Sequence, residues 1–272
     1  MNGIMRSPVG LAVVAVVVLA FQSVGGAVAQ APPSALAIME KNRELHRARD
    51  EEETLAVKIV DRRGAVKQRR LVRYTATGAD GLSKVLVRFT APRDIANTGL
   101  LIWEARTGDD DQWLYLPGVK KVKRIAASGK KNRFLGTDFS YEDLRPEALV
   151  AHRYESAGSE AVDGQDCWVI DAFPATEREA ADSGYSKRRL WVRKDVTQIV
   201  KREFYDGKGR LEKVQSDRKL VNVKGALWRA DEIEMHDVQS NGRTVLTLER
   251  RALDTGLKDS LFTETELARE GP

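Results

Sequence analysis

The sequence predicts a mainly β fold of the α+β class, built on one large curved antiparallel sheet. From Glu53 onward, apolar residues recur at every second position, and turn pairs such as Asp80-Gly81 and Asn241-Gly242 interrupt them. One segment, after Ser34, instead has the apolar spacing of an amphipathic helix. We therefore expect about eleven strands in a sheet that curls or closes, covered by one lid helix.

The N-terminal residues 1–29 have the three-part layout of a secretory signal peptide. Arg6 is the only charge, an apolar run extends from Val9 to Phe21, and Ala27-Val28-Ala29 forms a small-x-small cleavage site. The apolar run is too short to span a bilayer of about 30 Å, so cleavage is favoured over anchoring. We expect residues 30–272 to form a single exported domain, whose net charge falls from +5 to +4 with the loss of Arg6.

The first element of that domain is a helix over about residues 35–49, with Ser34 as its N-cap. Its apolar stripe needs a partner, and the sheet is the only large one. Alternation then predicts strands at residues 55–60, 71–76, 85–89, 99–104, 112–116, 119–125, 150–155, 167–173, 187–193, 198–205, 211–223, 226–237 and 244–253.

Motifs of catalysis and metal binding are missing from the sequence. His46, His152 and His236 stand at no metal-ligand spacing, and no Cys-x-x-Cys, Gly-x-Ser-x-Gly or phosphate-binding glycine pattern occurs. Cys167 begins an apolar strand, which favours an inert buried thiol. Asp109-Asp110-Asp111 lacks the ligand spacing of a calcium loop and is interpreted as a solvated turn. We expect no enzymatic activity, no cofactor and no metal.

Aromatic residues concentrate between Trp103 and Leu144, a segment that also contains Gly136 and the acidic pair Glu142-Asp143. Asp138 is predicted to cap a short helix whose first turns the acidic pair stabilises. The aromatic side chains could pack as ordinary core or could line an apolar cavity beneath a half-closed sheet. Both alternatives bury the same residues, so the pattern leaves them open.

A run of basic residues lies inside the same segment. It consists of Lys120, Lys121, Lys123, Arg124, Lys130, Lys131 and Arg133. Two interpretations remain: an edge strand that lysines protect against pairing, or a surface that contacts an anionic membrane with roughly 1 kcal/mol per basic residue. Nucleic acid is disfavoured, because the protein is predicted to be exported and lacks interleaved stacking aromatics.

Three stretches resemble the LolA-like outer-membrane lipoprotein-sorting proteins. They are Phe134-Leu135-Gly136-Thr137-Asp138-Phe139-Ser140-Tyr141-Glu142-Asp143-Leu144, Pro92-Arg93-Asp94-Ile95-Ala96-Asn97-Thr98-Gly99 and Trp113-Leu114-Tyr115-Leu116-Pro117. The resemblance covers nearly all of residues 30–272. It implies a LolA/LppX-like incomplete β-barrel in the periplasm, with helices over its concave side and acyl chains of lipoproteins or lipids in its apolar interior. Such a protein would be a monomeric, non-enzymatic carrier between an inner-membrane transporter and an outer-membrane receptor.

On that resemblance we expect a cavity wall and flap with Gly136 as the hinge. The wall and flap residues are Leu100, Ile102, Trp103, Trp113, Leu135, Phe139, Tyr141 and Leu144. A Gly136→Val change would then impair cargo exchange more than folding. Two other functions stay open: a periplasmic sensor similar to the RseB proteins, which would hold a stable protein partner and regulate an envelope response, and a hydrolase of envelope lipids.

Overall fold

The fold is taken from a computed structural model, which describes residues 1–3, 32–107 and 109–270. The predicted signal peptide therefore lies almost entirely outside the described residues. Within these ranges, no helix combines the length and the apolar character needed to cross a membrane.

Thirteen strands of the described residues form one sheet. The strands are β1 Asp50–Val60, β2 Val66–Thr77, β3 Ser83–Ala91, β4 Gly99–Trp103, β5 Asp111–Leu116, β6 Lys121–Arg124, β7 His152–Val162, β8 Gln165–Pro174, β9 Tyr185–Arg193, β10 Ile199–Asp206, β11 Leu211–Lys224, β12 Leu227–Asp237 and β13 Gly242–Leu253. The helices are α1 Ala35–Leu45, α2 Glu177–Asp182 and α3 Glu264–Leu267. Every segment predicted from alternation forms a strand, so the predicted total of about eleven was too low.

The sheet consists of two antiparallel meanders that meet at its centre. Its strand order is β6-β5-β4-β3-β2-β1-β13-β12-β11-β10-β9-β8-β7. The first and last strands pair with each other, with Glu51 opposite Leu253. In the described part of the chain no strand pairs beyond β6 or β7, so the sheet is open. This confirms the predicted class, a mainly β protein with a large antiparallel sheet that is not closed.

One face of the sheet, here called the inner face, contains the main apolar cluster. Leu55, Val57 and Ile59 of β1 point into it at alternate positions, as a period of two requires. Phe89 of β3 and Phe204 of β10 belong to the same cluster, although five strands lie between theirs in the sheet. The sheet must therefore curve around this cluster.

The helix α1 covers another part of the inner face. Ser34 caps it as predicted, since its hydroxyl accepts a hydrogen bond from the backbone N–H of Ala37 at 3.2 Å. Ile38 and Met39 pack against Leu190 and its neighbours on β8, β9 and β10. The helix ends at Leu45 rather than near residue 49, because Thr77 bonds the carbonyls of Ala48 and Arg49 at 2.8 and 2.9 Å and draws that segment toward the sheet.

The opposite, outer face has its own apolar cluster beneath the C-terminal segment. Leu101, Trp113 and Tyr115 pack there against Phe262 and Leu267. The indole N–H of Trp103 donates a hydrogen bond to the carbonyl of Phe262 at 2.9 Å. The C-terminal segment is thus fixed to the outer face by apolar packing and by this bond.

Candidate functional site

Residues 130–145, here called the plug, form an irregular hairpin that packs on the inner face. The backbone N–H of Phe134 donates to the carbonyl of Phe139 at 2.7 Å, and that of Tyr141 donates to the carbonyl of Asn132 at 3.1 Å. At the tip, Leu135 and Gly136 have φ angles of 49° and 75°, and the N–H of Thr137 donates to the carbonyl of Phe134 at 2.9 Å. Two consecutive positive φ angles are typical of the tight hairpin turns that match strand twist.

The plug fills the apolar part of the inner face with aromatic side chains. Phe134, Phe139 and Tyr141 are all buried within the main cluster. The ring of Phe134 lies 5.8 Å from that of Phe89 on β3 and 5.5 Å from that of Tyr141. The fully buried amide of Gln112 on β5 donates to the carbonyl of Tyr141 at 3.1 Å. The space beneath the curved sheet is therefore occupied by the protein's own residues.

Asp138 fastens the tip of the plug to β13. The hydroxyl of Thr244 donates to its carboxylate at 2.7 Å and accepts from its backbone N–H at 3.0 Å. Arg133 donates to the same carboxylate at 2.9 Å and also forms an ion pair with Asp237 at the end of β12. Asp138 and Asp237 are buried, and buried carboxylates require such partners.

Glu142 and Asp143 fasten the other end of the plug to β9 and β11. Glu142 accepts hydrogen bonds from the hydroxyl of Ser183 at 2.6 Å and from the N–H of Gly184 at 2.8 Å. Asp143 accepts from the hydroxyl of Tyr185 at 2.8 Å and from the ammonium of Lys213 at 2.5 Å. The three carboxylates of the plug thus make polar contacts with the sheet, while its aromatic residues make the apolar ones.

The prediction of a short helix after Asp138 is wrong. Ser140 and Asp143 do form a reciprocal cap, in which each backbone N–H donates to the other side chain, at 2.6 and 3.3 Å. The segment makes only one turn, because Pro146 follows closely and disfavours helical backbone in the residue before it. Asp138, Glu142 and Asp143 bind distant parts of the sheet rather than the start of a helix.

Six of the eight predicted wall and flap residues meet in one cluster. Leu100, Ile102, Phe139 and Tyr141 are buried in the main cluster, and Leu135 and Leu144 pack against its edge. The prediction of a place in the cavity wall is wrong for Trp103 and Trp113, because both lie on the outer face with their rings 5.1 Å apart. The period of two explains this, since Trp103 must face away from Ile102. The role of the six residues in ligand binding remains a prediction.

Gly136 lies at the exposed tip of the plug, and its role as a hinge remains a prediction. A Cβ there would meet no atom within 4 Å, and only the φ angle of 75° restricts the position. We expect Gly136→Val to lower the free energy of unfolding by about 1–2 kcal/mol. Gly136→Asn should cost less than about 1 kcal/mol, because Asn tolerates left-handed backbone. Urea denaturation measures both, and equal losses would contradict this account.

The predicted basic surface consists of exposed residues and one buried residue, Lys130. Lys121, Lys123 and Arg124 lie on the edge strand β6, which fits the edge-protection interpretation. Lys120 and Lys131 are also exposed. Lys130, in contrast, is buried with its ammonium 3.3 Å from Asp109, and Arg133 pairs with Asp138 and Asp237. Lys130 is therefore not available as a membrane-contact residue, whereas Arg133 is about half exposed and is held by its two ion pairs.

The prediction that Asp109-Asp110-Asp111 forms a solvated turn is also wrong. Asp109 pairs with Lys130, and Asp111 pairs with Arg124 on the neighbouring strand. Asp110 is buried and accepts from Arg145 at 2.6 Å, at the end of the plug. Each carboxylate of the run holds a different basic side chain. No group of three or more potential metal ligands occurs among the described residues.

A polar cavity of about 120 Å³, here called the chamber, lies where the plug meets β9, β10 and β11. Glu147 accepts from Arg188 at 3.0 and 3.2 Å and from the hydroxyl of Tyr154 at 2.8 Å. Burial alone would raise the pKa of Glu147, but the positive charge of Arg188 and the other neighbours lower it to about 2. The chamber therefore contains a partly buried ion pair whose carboxylate stays charged well below neutral pH.

His152 completes the chamber in its neutral form. Its Nδ1 lies 3.1 Å from the carbonyl of Ala148, to which it donates, and its Nε2 accepts from Arg188 at 2.6 Å. Burial, reinforced by the charge of Arg188, lowers the pKa of His152 to about 4. The neutral imidazole thus acts as an acceptor for a guanidinium that Glu147 neutralises.

This pKa predicts an acid-sensitive fold. Between pH 6.5 and about 4 the unfolded chain binds a proton at His152 that the folded chain does not bind. The free energy of unfolding should therefore fall by roughly 2–3 kcal/mol as the pH drops through this window. His152→Gln should remove this part of the pH dependence in urea titrations. An unchanged slope in the variant would assign the acid sensitivity to other groups.

Comparisons with known proteins agree with this architecture. A family described as "Uncharacterized protein" matches residues 81–269, more than half of the chain. A domain described as an outer membrane lipoprotein-sorting protein, from Vibrio parahaemolyticus, is 30% identical with a TM-score of 0.82, over 86% of this chain and 98% of that one. No curated protein sequence matches.

Two further solved structures extend the similarity. A DUF1329 family protein from Desulfovibrio piger is 27% identical with a TM-score of 0.80, over 86% of this chain and 97% of that one. A LolA superfamily protein from Nitrosomonas europaea is 22% identical with a TM-score of 0.68, over 86% of this chain and 100% of that one. The last likeness concerns the fold alone.

Proposed function

The chain belongs to the LolA-like family of outer-membrane lipoprotein-sorting proteins, and from this we propose that it is a periplasmic, non-enzymatic carrier of acyl chains. The cargo would be a lipoprotein or a lipid that moves toward the outer membrane. The Vibrio domain, which is described as lipoprotein-sorting, supports the class of cargo. An inner-membrane transporter would load the monomeric carrier, and an outer-membrane receptor would unload it.

The observation that supports this proposal best is the plug itself. Three aromatic side chains occupy the apolar part of the inner face, and the segment that bears them is held there by reversible contacts. Its carboxylates accept hydrogen bonds from Thr244, Gly184 and Lys213, all on the sheet or beside it. If the plug withdraws, the sheet offers an apolar surface of the kind that buries acyl chains. The plug would close the carrier when it is empty.

The free energies of burial allow one acyl chain to displace the plug. Removing three buried aromatic side chains from the inner face costs roughly 5–9 kcal/mol, at about 1.5–3 kcal/mol each. Burying a chain of about 14 methylenes supplies roughly 11 kcal/mol, at about 0.8 kcal/mol per methylene. A long acyl chain can therefore replace the plug, whereas a short one of about six methylenes, worth roughly 5 kcal/mol, cannot do so reliably.

The exposed lysines of β6 and its preceding turn, Lys120, Lys121 and Lys123, are proposed to contact the anionic surface of a membrane during transfer. Lys131, exposed at the start of the plug, belongs to the same proposal. Such contacts would be weak individually and sensitive to salt. They would bring the plug close to the lipid phase without anchoring the protein.

The direct test is native mass spectrometry and lipid extraction of the protein purified from its own periplasm. Bound lipid is expected, and purified lipoprotein or phospholipid should displace an apolar fluorescent probe from the protein. The absence of both results would refute the carrier. A sensor on the same scaffold would instead retain a stable protein partner, which a pulldown from the same extract would recover.

A further inference from the structure

Lys213, the third residue of β11, is a buried cation on the inner face. Its side chain is 4% exposed, and its ammonium lies 2.5 Å from the carboxylate of Asp143 and 3.3 Å from the carbonyl of Asp138. The rings of Tyr185 and Phe204 lie 5.1 and 5.5 Å from it. A cation in such surroundings is stable only while a negative charge faces it.

The negative charge belongs to the plug, whereas the groups that bond it belong to the sheet. The side chain of Asp143 is 0% exposed and bonds both Lys213 and the hydroxyl of Tyr185. Burial, together with Asp143, raises the pKa of Tyr185 well above its ordinary value, so the hydroxyl remains a donor. When the plug withdraws, the carboxylate leaves while the ammonium and the hydroxyl stay.

Two acids of the sheet lie near Lys213. Asp237 lies opposite it on β12; one oxygen of Asp237 accepts from the N–H groups of Gln239 and Ser240 at 3.0 and 2.7 Å, and the other pairs with Arg133 of the plug. Asp217, four residues along β11, accepts from Arg202 at 3.0 Å and from Gln215 at 2.7 Å. An open inner face therefore presents Lys213 without the carboxylate that it bonds in the closed protein, and Asp237, which keeps its two backbone N–H donors, is a remaining acid with which an anionic ligand would compete.

We propose that Lys213 and Tyr185 bind the anionic head group of the cargo, a carboxylate or a phosphate attached to an acyl chain, at the position that Asp143 occupies in the closed protein. This rests on the proposed carrier function and adds the polar half of the ligand to it. The acyl chain takes the place of Phe139 and Tyr141. The chamber, which Asp143 also lines, supplies adjacent volume for the head group. The plug thus imitates an amphiphile, with its carboxylate and its aromatic residues in the positions of head group and chain.

The test compares cis-parinaric acid with its methyl ester, two fluorescent probes that differ only in the charge of the head group. Wild-type protein should bind the acid at least about tenfold more tightly, as expected for a charge-assisted hydrogen bond in a buried site. Lys213→Met should abolish this preference, so that the variant binds the acid and the ester with equal affinity. Asp143→Asn, which removes the competing charge, should strengthen binding of the acid.

Lys201→Met is the matched control. Lys201 lies on the adjacent strand β10, pairs with Glu203 at 2.8 Å and sits 3.9 Å from the ring of Trp191, so it shares the chemistry of Lys213 without facing Asp143. The control should keep the preference for the acid. Equal affinity of wild-type protein for acid and ester would overturn the inference and leave the carrier function intact. Failure of both probes to bind would instead contradict the carrier function.

Discussion

Phe139→Ala should lower the free energy of unfolding by about 3–5 kcal/mol and, at the same time, increase the affinity for an apolar probe at least about tenfold. The loss of stability follows from the cavity that the missing ring leaves in the main cluster, where Phe139 is 5% exposed. The gain in affinity follows because a ligand no longer has to displace that ring. Urea denaturation and titration with N-phenylnaphthylamine measure the two effects.

Phe262→Ala provides the control for this prediction. Phe262 is 0% exposed and packs in the outer-face cluster, so its removal creates a comparable cavity on the other side of the sheet. It should destabilise the protein by a similar amount without increasing probe affinity. A similar gain in affinity in both variants would mean that the probe reports general loosening of the fold, and the plug would lose its special role.

A disulfide between the plug and β13 should prevent cargo exchange. A Cβ built on Gly242 would lie 3.3 Å from the Cγ of Asp138, close to the separation of about 3 Å between a Cβ and the far sulfur of a disulfide. In the double variant Asp138→Cys, Gly242→Cys, we expect oxidation to slow probe exchange at least about tenfold. The crosslink should also raise the free energy of unfolding by about 2–4 kcal/mol, which separates locking from misfolding.

Reduction of the same protein should reverse the effect. Without the disulfide and without the Asp138 carboxylate, the tip loses its bond to Thr244, so probe exchange should become faster than in the wild type. Each single variant under oxidising conditions serves as a control, and Cys167 is too deeply buried to interfere. Stopped-flow fluorescence follows the exchange. Unchanged exchange in the oxidised double variant would show that ligands reach the inner face without movement of the plug.

The alternation of apolar residues was sufficient to predict the strands, because burial on one face of a sheet imposes a period of two on the sequence. The same rule, applied to single residues, could have placed Trp103 on the outer face opposite Ile102. The aromatic character of Trp103 and Trp113 instead indicates a place in the cavity, and this indication is wrong. Composition within a segment is a weaker guide than the position of a residue in the alternation.

The partners of the plug could not be predicted from the sequence. Asp143 meets Tyr185 and Lys213, which lie 42 and 70 positions away, and Thr244 lies 106 positions from Asp138. A Lys within an alternating strand is usually solvated, so nothing local distinguishes Lys213 from its exposed neighbours. Glu142-Asp143 locally resembles the start of a helix. The residues that decide its role lie far away in the sequence, so the local pattern predicts the wrong structure.

The central pairing of β1 with β13 also affects the rate of folding. Each meander is assembled from hairpins between strands that are neighbours in sequence, and such contacts form after short loops close. The pairing that joins the two meanders, with Glu51 opposite Leu253, has to wait until almost the whole chain is available. Folding should therefore be slower than its many local hairpins would allow, since long-range strand pairing slows the search. Until then the two halves of the inner face are apart and expose apolar surface, which makes the unfolded chain vulnerable to aggregation.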